Sequence, residues 1–314
     1  MKNKIIVTLL LFILLTSCKK EMTDSADTIY FGGDIVTMEG NQPQYVEAIG
    51  VKNGKIIFVG SLSEAKNFQG SKTEMKDLKG KTMLPGFIDA HGHVWNAGFQ
   101  AVSANLLPAP DGIGNDIASI ISILNNWKSL NKNAIGKYGW IVGFGYDDAQ
   151  LKEKLPPTAD DLDKVSTTIP VIIIHQSGHL AVMNHKALEM AGYNEASKNP
   201  AGGVIRRKNG SNEPNGVLEE MAMFTPLFKM MGTLDEEANE KIAEAGLKSY
   251  VRFGFTTAQE GRATSDACNT WLKLADKNKL AIDVAAYPDI QTQMSYLKEN
   301  GIQKNIKIIL GLQG

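Results

Sequence analysis

The sequence predicts an α/β protein, a (β/α)8 barrel preceded by a small β-sandwich module. Three observations predict it. Apolar residues between Thr28 and Thr82 recur in short stretches with a period near two, the pattern of strands. Beyond Leu84-Pro85-Gly86 the pattern changes to apolar strand-like runs separated by amphipathic helical stretches, the alternation of parallel βα units. No glycine-rich phosphate loop marks the doubly wound sheet that the same alternation would also fit.

The first element is a leader. Lys2 and Lys4 precede a run from Ile5 to Leu15 that is apolar apart from Thr8, the layout of a secretory signal. The run is too short for a permanent membrane span, which takes about 20 apolar residues. It ends in Leu15-Thr16-Ser17-Cys18, which resembles a bacterial lipobox whose cysteine is acylated; a plain signal peptide with an incidental cysteine is the alternative. Residues 1–17 are thus expected to be removed, and 18–27 to form a polar tether from a lipid on Cys18 to the soluble part. The product is expected to be an exported bacterial lipoprotein at the outer membrane, the periplasmic face or the cell surface. Cys268 then has no partner, and no disulfide framework is expected.

The module at 28–83 is a small sandwich or sheet. Asn53-Gly54 between two apolar runs marks a hairpin, because both central positions of a type I′ turn need positive φ. From 84 to 314 the strand-like runs are Phe87 to Ala90, Trp140 to Phe144, Pro170 to Ile174, Phe253 to Ala258, Ala281 to Ala286 and Ile306 to Leu310. Ile117, Ile120, Ile121, Leu124 and Trp127 share one helical face behind Asn115 or Asp116 as cap. Thr233-Leu234-Asp235-Glu236 reads as a capping box opening a helix through Tyr250. The 33 Lys and Arg against 34 Asp and Glu supply no field for a polyanion, so no nucleic-acid partner is expected.

Chemistry is concentrated in Phe87-Ile88-Asp89-Ala90-His91-Gly92-His93. On a strand, residues i and i+2 share a face. Two neutral imidazoles there can bind one divalent metal such as Zn²⁺, while Gly92 leaves the backbone room to turn. The bland alternative is a histidine pair held near a strand end by ordinary hydrogen bonds.

Leu84-Pro85-Gly86-Phe87-Ile88-Asp89-Ala90-His91-Gly92-His93, directly after the hairpin-bearing module, resembles the amidohydrolase superfamily at its first barrel strand. Gly143-Phe144-Gly145-Tyr146-Asp147-Asp148, Ser177-Gly178-His179 with Asn184 and Ala187-Leu188, Asn215-Gly216-Val217-Leu218-Glu219 and Gly254-Phe255-Thr256-Thr257 are similar to its amidohydrolase-3, or YtcJ-like, branch. The resemblance implies a TIM-like barrel with one or two divalent metal ions, zinc above all, at the carboxyl ends of the strands. His91 and His93 match the first-strand ligands. A lysine carboxylated by CO₂ often bridges two metals in this superfamily. Lys307 in Asn305-Ile306-Lys307-Ile308-Ile309-Leu310 is the residue suited to it, with Glu260 as the alternative carboxylate. His179 would be catalytic, donating to a tetrahedral oxyanion or to a substrate carboxylate, or else a loop histidine holding backbone. Asp147 and Asp148 would line the substrate pocket, or simply be solvated; His175 and His185 are expected to be structural.

The implied reaction is hydrolysis of a small N-acyl, N-formyl or cyclic amide by a metal-activated water. The resemblance also calls for two later histidines and a catalytic aspartate, yet all five histidines precede residue 186. The expectation is therefore the N-terminal portion of a metal-dependent amidohydrolase, inactive by itself. The alternative is a non-catalytic, membrane-anchored lipoprotein binding a small molecule on a degenerate scaffold. A third is an unrelated α/β domain.

Overall fold

The strand Thr28–Val36 (β1) buries Ile29 and Ile35 completely, as its alternating pattern requires. In the computed structural model, which describes residues 25–290, 293–300 and 308–310, β1 is one of the two inner strands of a four-stranded sheet. The leader with Cys18, and Lys307, lie outside the described residues. The chain divides into two compact units, Met1–Gly86 and Phe87–Gly314.

In the first unit, β1 pairs antiparallel with Tyr45–Lys52 (β2), which pairs antiparallel with Lys55–Gly60 (β3). Asn53 and Gly54 at the hairpin tip have φ of 49° and 71°, the conformation that the dipeptide signals. Glu74–Asp77 (β4) pairs parallel with β1 on its other side. Leu62–Ala65 (α1) opens with a reciprocal Ser61–Glu64 capping box and packs Ala65 into a small core with Ala26, Ile29 and Ala48. Among the described residues this is one mixed sheet with a helical turn over it; no second facing sheet is present.

The second unit contains two sheets. Phe87–Ile88 (β5) leads into the helix Val94–Val102 (α2) and then Ala104–Asn105 (β6). The helices Ile117–Leu130 (α3) and Lys132–Tyr138 (α4) precede Ile141–Tyr146 (β7). Ala159–Asp163 (α5), Val171–His175 (β8), Leu180–Met183 (β9) and His185–Ala191 (α6) follow. Then come Gly203–Arg207 (β10), Pro214–Glu220 (β11), Met221–Met231 (α7) and Glu236–Arg252 (α8). The chain continues through Phe255–Ala263 (β12), Ser265–Asp276 (α9), Asp283–Pro288 (β13), Met294–Asn300 (α10) and Ile308–Leu310 (β14). Among the described residues no helix is long and apolar enough to cross a membrane.

The order β14-β13-β12-β5 forms a wholly parallel sheet, and β10-β11-β9-β8-β7-β6 a mixed one. This corrects the sequence reading of Trp140–Phe144 and Pro170–Ile174 as members of the same strand series as Phe87–Ala90. They belong to the separate six-stranded sheet, inserted between β5 and its neighbour β12. Strand-helix alternation does not specify which strands pair, and three antiparallel pairings, β8 with β9, β9 with β11 and β11 with β10, end the parallel run after β8. The described strands form these two open sheets and no closed barrel.

Helix starts follow local chemistry. Asp116 caps α3, its carboxylate accepting from the Ser119 N–H at 2.7 Å. The cap of α8 is Asp235, not Thr233: the Thr233 hydroxyl donates to the Met230 carbonyl and closes α7, leaving the Asp235 carboxylate to receive the Ala238 N–H at 2.9 Å. Asp235 also pairs with Lys137 at 2.6 Å. The Lys137 hydrogen bond, with the Ala238 N–H behind it, holds the Asp235 carboxyl down to about 2.

Helices α2 and α8 meet backbone to backbone. A Cβ on Gly98 would stand 1.9 Å from the Ile242 carbonyl oxygen, and one on Gly246 2.2 Å from that of Val94. Gly246→Ala is expected to destabilise the protein by about 1–3 kcal/mol despite alanine's higher helix propensity, because overpacking outweighs the roughly 1 kcal/mol propensity gain. Gly136→Ala on α4, where an added Cβ meets nothing within 4 Å, is expected to stabilise by roughly 0.5–1 kcal/mol. Denaturant midpoints check both signs. Asp235 has its carboxyl lowered by folding, so its pairing contributes stability above the ordinary value of 3.8 and loses it as pH falls towards 2. Acid titration of Asp235→Asn should show a shallower loss across that window.

Candidate metal centre

The segment after β5 is held along β12, residues far away in sequence. The Asp89 N–H donates to the Thr257 carbonyl at 2.9 Å, and the Asp89 carboxylate accepts from the N–H groups of His91 at 3.2 Å and Gln259 at 3.1 Å. The Gly92 N–H donates to Gln259 Oε1 at 2.9 Å, and the Gly261 N–H to the Gly92 carbonyl at 2.8 Å. Regular strand geometry ends at Ile88, so this net of bonds, and not strand alternation, sets the direction of the two histidines.

His93 Nδ1 lies 2.8 Å from the Gly261 carbonyl oxygen. A carbonyl only accepts, so Nδ1 carries the proton and Nε2 presents its lone pair. That is the arrangement in which a metal-ligating imidazole is oriented by a backbone carbonyl behind it. The His91 ring lies edge-on to that of His93, centroids 5.6 Å apart, and His91 is exposed. A cation held by both rings would need a nitrogen of each within about 2.0–2.1 Å, which a centroid separation of this size allows. A Cβ at position 92 would fall 2.0 Å from Asp89 Oδ2 and 2.5 Å from the Tyr250 hydroxyl, so glycine is required by close approach. Burial, and then the charge of Asp89 and a hydrogen bond to it, push the Tyr250 hydroxyl above its ordinary value, keeping it neutral beside that carboxylate.

Glu260 is only 4% exposed. Its Oε2 accepts the Trp95 N–H at 2.6 Å, at the first turn of α2 immediately after His93. Burial pushes the carboxyl up to about 8 against the pull of that N–H. Glu260 thus faces the start of α2, where it fastens the helix that follows the histidine pair.

The other sequence-selected residues gather on the six-stranded sheet. Asp147 and Asp148 follow β7, and His175 ends β8, its Nε2 3.5 Å from Asp147 Oδ1 and 3.4 Å from Asp148 Oδ1. Among the described residues these three form the group of acid and histidine ligand atoms able to converge on a cation. His175 Nδ1 accepts the Ser177 N–H at 3.0 Å, which leaves the proton on Nε2 facing the carboxylates. Asp147 is nearly buried and already receives the Ala149 N–H at 2.9 Å, Gln150 Nε2 at 2.7 Å and Gln176 Nε2. Its burial raises its carboxyl, but hydrogen bonds from Gln150, Ala149 and His175 leave it below the ordinary value. His179, in the β8–β9 connection, points to Glu220 with Nδ1 3.0 Å from Oε1, and the side chain is 61% exposed. His185 Nδ1 lies 2.7 Å from Asp163 Oδ2 at the start of α6.

The described contacts therefore set His91 beside His93 and bridge the His93 backbone to that of Glu260, and separately bring Asp147 and Asp148 to His175. Sequence reasoning missed Gln259, Tyr250 and Gly261 as the supports of the pair. Only Asp89, two residues before His91, carried a local signal. Gly92→Ala should push Asp89 and Tyr250 apart, lowering stability by about 1–3 kcal/mol and weakening metal retention; thermal melts and metal analysis of the purified variant check it.

The family model described as the amidohydrolase family matches residues 74–311. The chain is 32% identical over 231 residues to the putative amidohydrolase YtcJ of Bacillus subtilis (strain 168), covering 73% of this chain and 41% of that protein. It is 25% identical over 262 residues to the N-substituted formamide deformylase of Arthrobacter pascens, covering 82% of this chain and 47% of that protein. The chain thus spans about half the length of the curated relatives it matches. An uncharacterised metal-dependent hydrolase from Pyrococcus horikoshii OT3 shares the fold, with a TM-score of 0.63 and 23% identity over 90% of this chain and 53% of that one. With more than half of its residues matched by the family model, the chain belongs to the amidohydrolase family, in its amidohydrolase-3 branch.

Proposed function

We propose that this protein is a metal-dependent hydrolase of a C–N bond in a small N-substituted amide, and that His91 and His93 hold a zinc ion. The observation that carries the reading is the His93 Nδ1 bond to the Gly261 carbonyl, which commits the ring to the tautomer a metal ligand needs. A bound zinc ion would activate water and polarise the scissile carbonyl. The chain's own part is positional. Asp89 and Gln259 orient the backbone around the two rings, and Glu260 fastens α2 behind them.

Lys307, in carboxylated form, is proposed as the bridging ligand to a second ion, and the engagement of Glu260 with the Trp95 N–H favours Lys307 over it. The parallel sheet β14-β13-β12-β5 supports a (β/α)8 barrel reading with these strands as consecutive members, and the first unit is read as part of a β-sandwich. Activity is proposed for the whole protein that carries these units. An N-substituted formamide is the substrate class to test first, since a deformylase of such compounds is among the relatives. His179 is proposed to donate to substrate, with Asp147 and Asp148 shaping the pocket. Cys18 is proposed as a lipid attachment site on the exported protein.

Metal analysis after gel filtration tests the centre. Wild type should retain zinc, while His91→Ala and His93→Ala should each lower its affinity by at least about tenfold. Unchanged zinc content in both would remove the pair from the site. Lys307→Ala in the whole protein should lose formamide hydrolysis, with partial recovery on adding short-chain carboxylates to the assay. Expressed with its leader in a bacterium that processes lipoproteins, Cys18→Ser should move the protein from the membrane fraction to the soluble one.

A further inference from the structure

A cavity of about 530 Å³ lies where the helices beside the parallel sheet meet those beside the six-stranded one. Phe99, Trp127, Tyr138, Trp140, Val142 and Ile242 form much of its wall. It is reached at the C-terminal end of α2, whereas His93 stands at the N-terminal end of that helix. Phe99, the first wall residue on α2, follows His93 by six residues, a rise of about 9 Å. The cavity is also at the start of β7, the opposite end of that strand from Tyr146, Asp147 and Asp148. It therefore belongs neither to the histidine pair nor to the acidic group.

We propose that this cavity is a second binding site, for an uncharged flat aromatic molecule of two to three rings. Volume and wall both match a small-molecule site, since such sites run about 300–1,000 Å³ and are mostly apolar with few polar groups. Four of the six named wall residues are aromatic, and their faces suit offset or edge-on ring contacts.

The charges at the mouth select against an ion. Lys137 is bound to Asp235 at 2.6 Å and to Glu237 at 2.9 Å, and Lys241 to Glu237 at 2.7 Å, so each cation and each carboxylate there is already compensated. The hydroxyls of Ser103 and Thr233 donate to the carbonyls of Phe99 and Met230, both at 2.7 Å, and Asn131 Nδ2 to that of Trp127 at 2.9 Å. These polar groups ask nothing of a ligand.

N-Phenyl-1-naphthylamine, neutral and fluorescent in apolar surroundings, is the probe. Titrated into the full 314-residue chain, it should bind saturably at one site per molecule. Ala134→Phe and Ala238→Leu, both on the cavity wall and both filling space, should each weaken binding at least about tenfold with an unchanged circular dichroism spectrum. The anionic analogue 1-anilinonaphthalene-8-sulfonate should bind at least about tenfold more weakly than the neutral probe. Phe228→Ser, on the exposed side of α7, should leave the affinity unchanged. Non-saturating fluorescence, wild-type affinity in both filled variants, equal binding of the anion, or loss of binding in Phe228→Ser would each overturn the assignment.

Discussion

The pairing of β5 with β12 is the constraint on which the candidate centre depends. Two strands joined in sequence only through a whole inserted sheet lie side by side and parallel, and β5 contributes just two residues of regular strand to the contact. The pairing continues past those two through the Asp89 carboxylate, the Gln259 amide and the Gly92 backbone, ending on the His93 ring. Because the bonds made by Gln259, Glu260 and Gly261 each span more than 160 residues of chain, no local segment can form the site independently; His93 meets its carbonyl partner only once β12 has docked. The α2–α8 glycine contact serves the same end. Without side chains between them, α8 and its sheet approach closely enough to hold the helix that begins at His93.

Buried polar groups tie the six-stranded sheet together in a similar way. Asn184, fully buried, accepts the N–H groups of Val171 and Ala187 and donates to the carbonyls of Ser166 and Ile169, joining β8, α6 and the loop after α5. Asp147 gathers the loop after β7 with Gln176 beyond β8. A fully satisfied polar cluster of this kind fixes one arrangement of its surroundings, because any alternative leaves a buried group unpaired. The loop after β7, which the sequence singled out for substrate contact, is thus anchored through Asp147, while His179 and Glu220 pair at the surface.

Local signals in the sequence were reliable where one residue decides the backbone. Asn53-Gly54 made the turn it signals, and Asp116 capped its helix. They misled where two residues competed for one role, as when Thr233 closed α7 and left the α8 cap to Asp235. The histidine pair was legible because both rings come from one short segment. The supports were not, since Gln259, Tyr250 and Gly261 carry no distinctive spacing relative to His91 and become neighbours only through the fold.

The sequence by itself determined the α/β class, the principal strand and helix segments, the two histidines and, through the order of its motifs, the amidohydrolase family. These follow from periodicity, turn chemistry and short motifs, all of which act over a few residues. Tertiary structure decided which strands are neighbours, the division into a parallel sheet with a mixed sheet inserted in it, the turn of Glu260 towards Trp95, and the proton position on His93. Each of those is a choice among partners distant in the chain, settled by which pairing satisfies the buried backbone and side-chain groups together, and a one-dimensional pattern does not rank such partners.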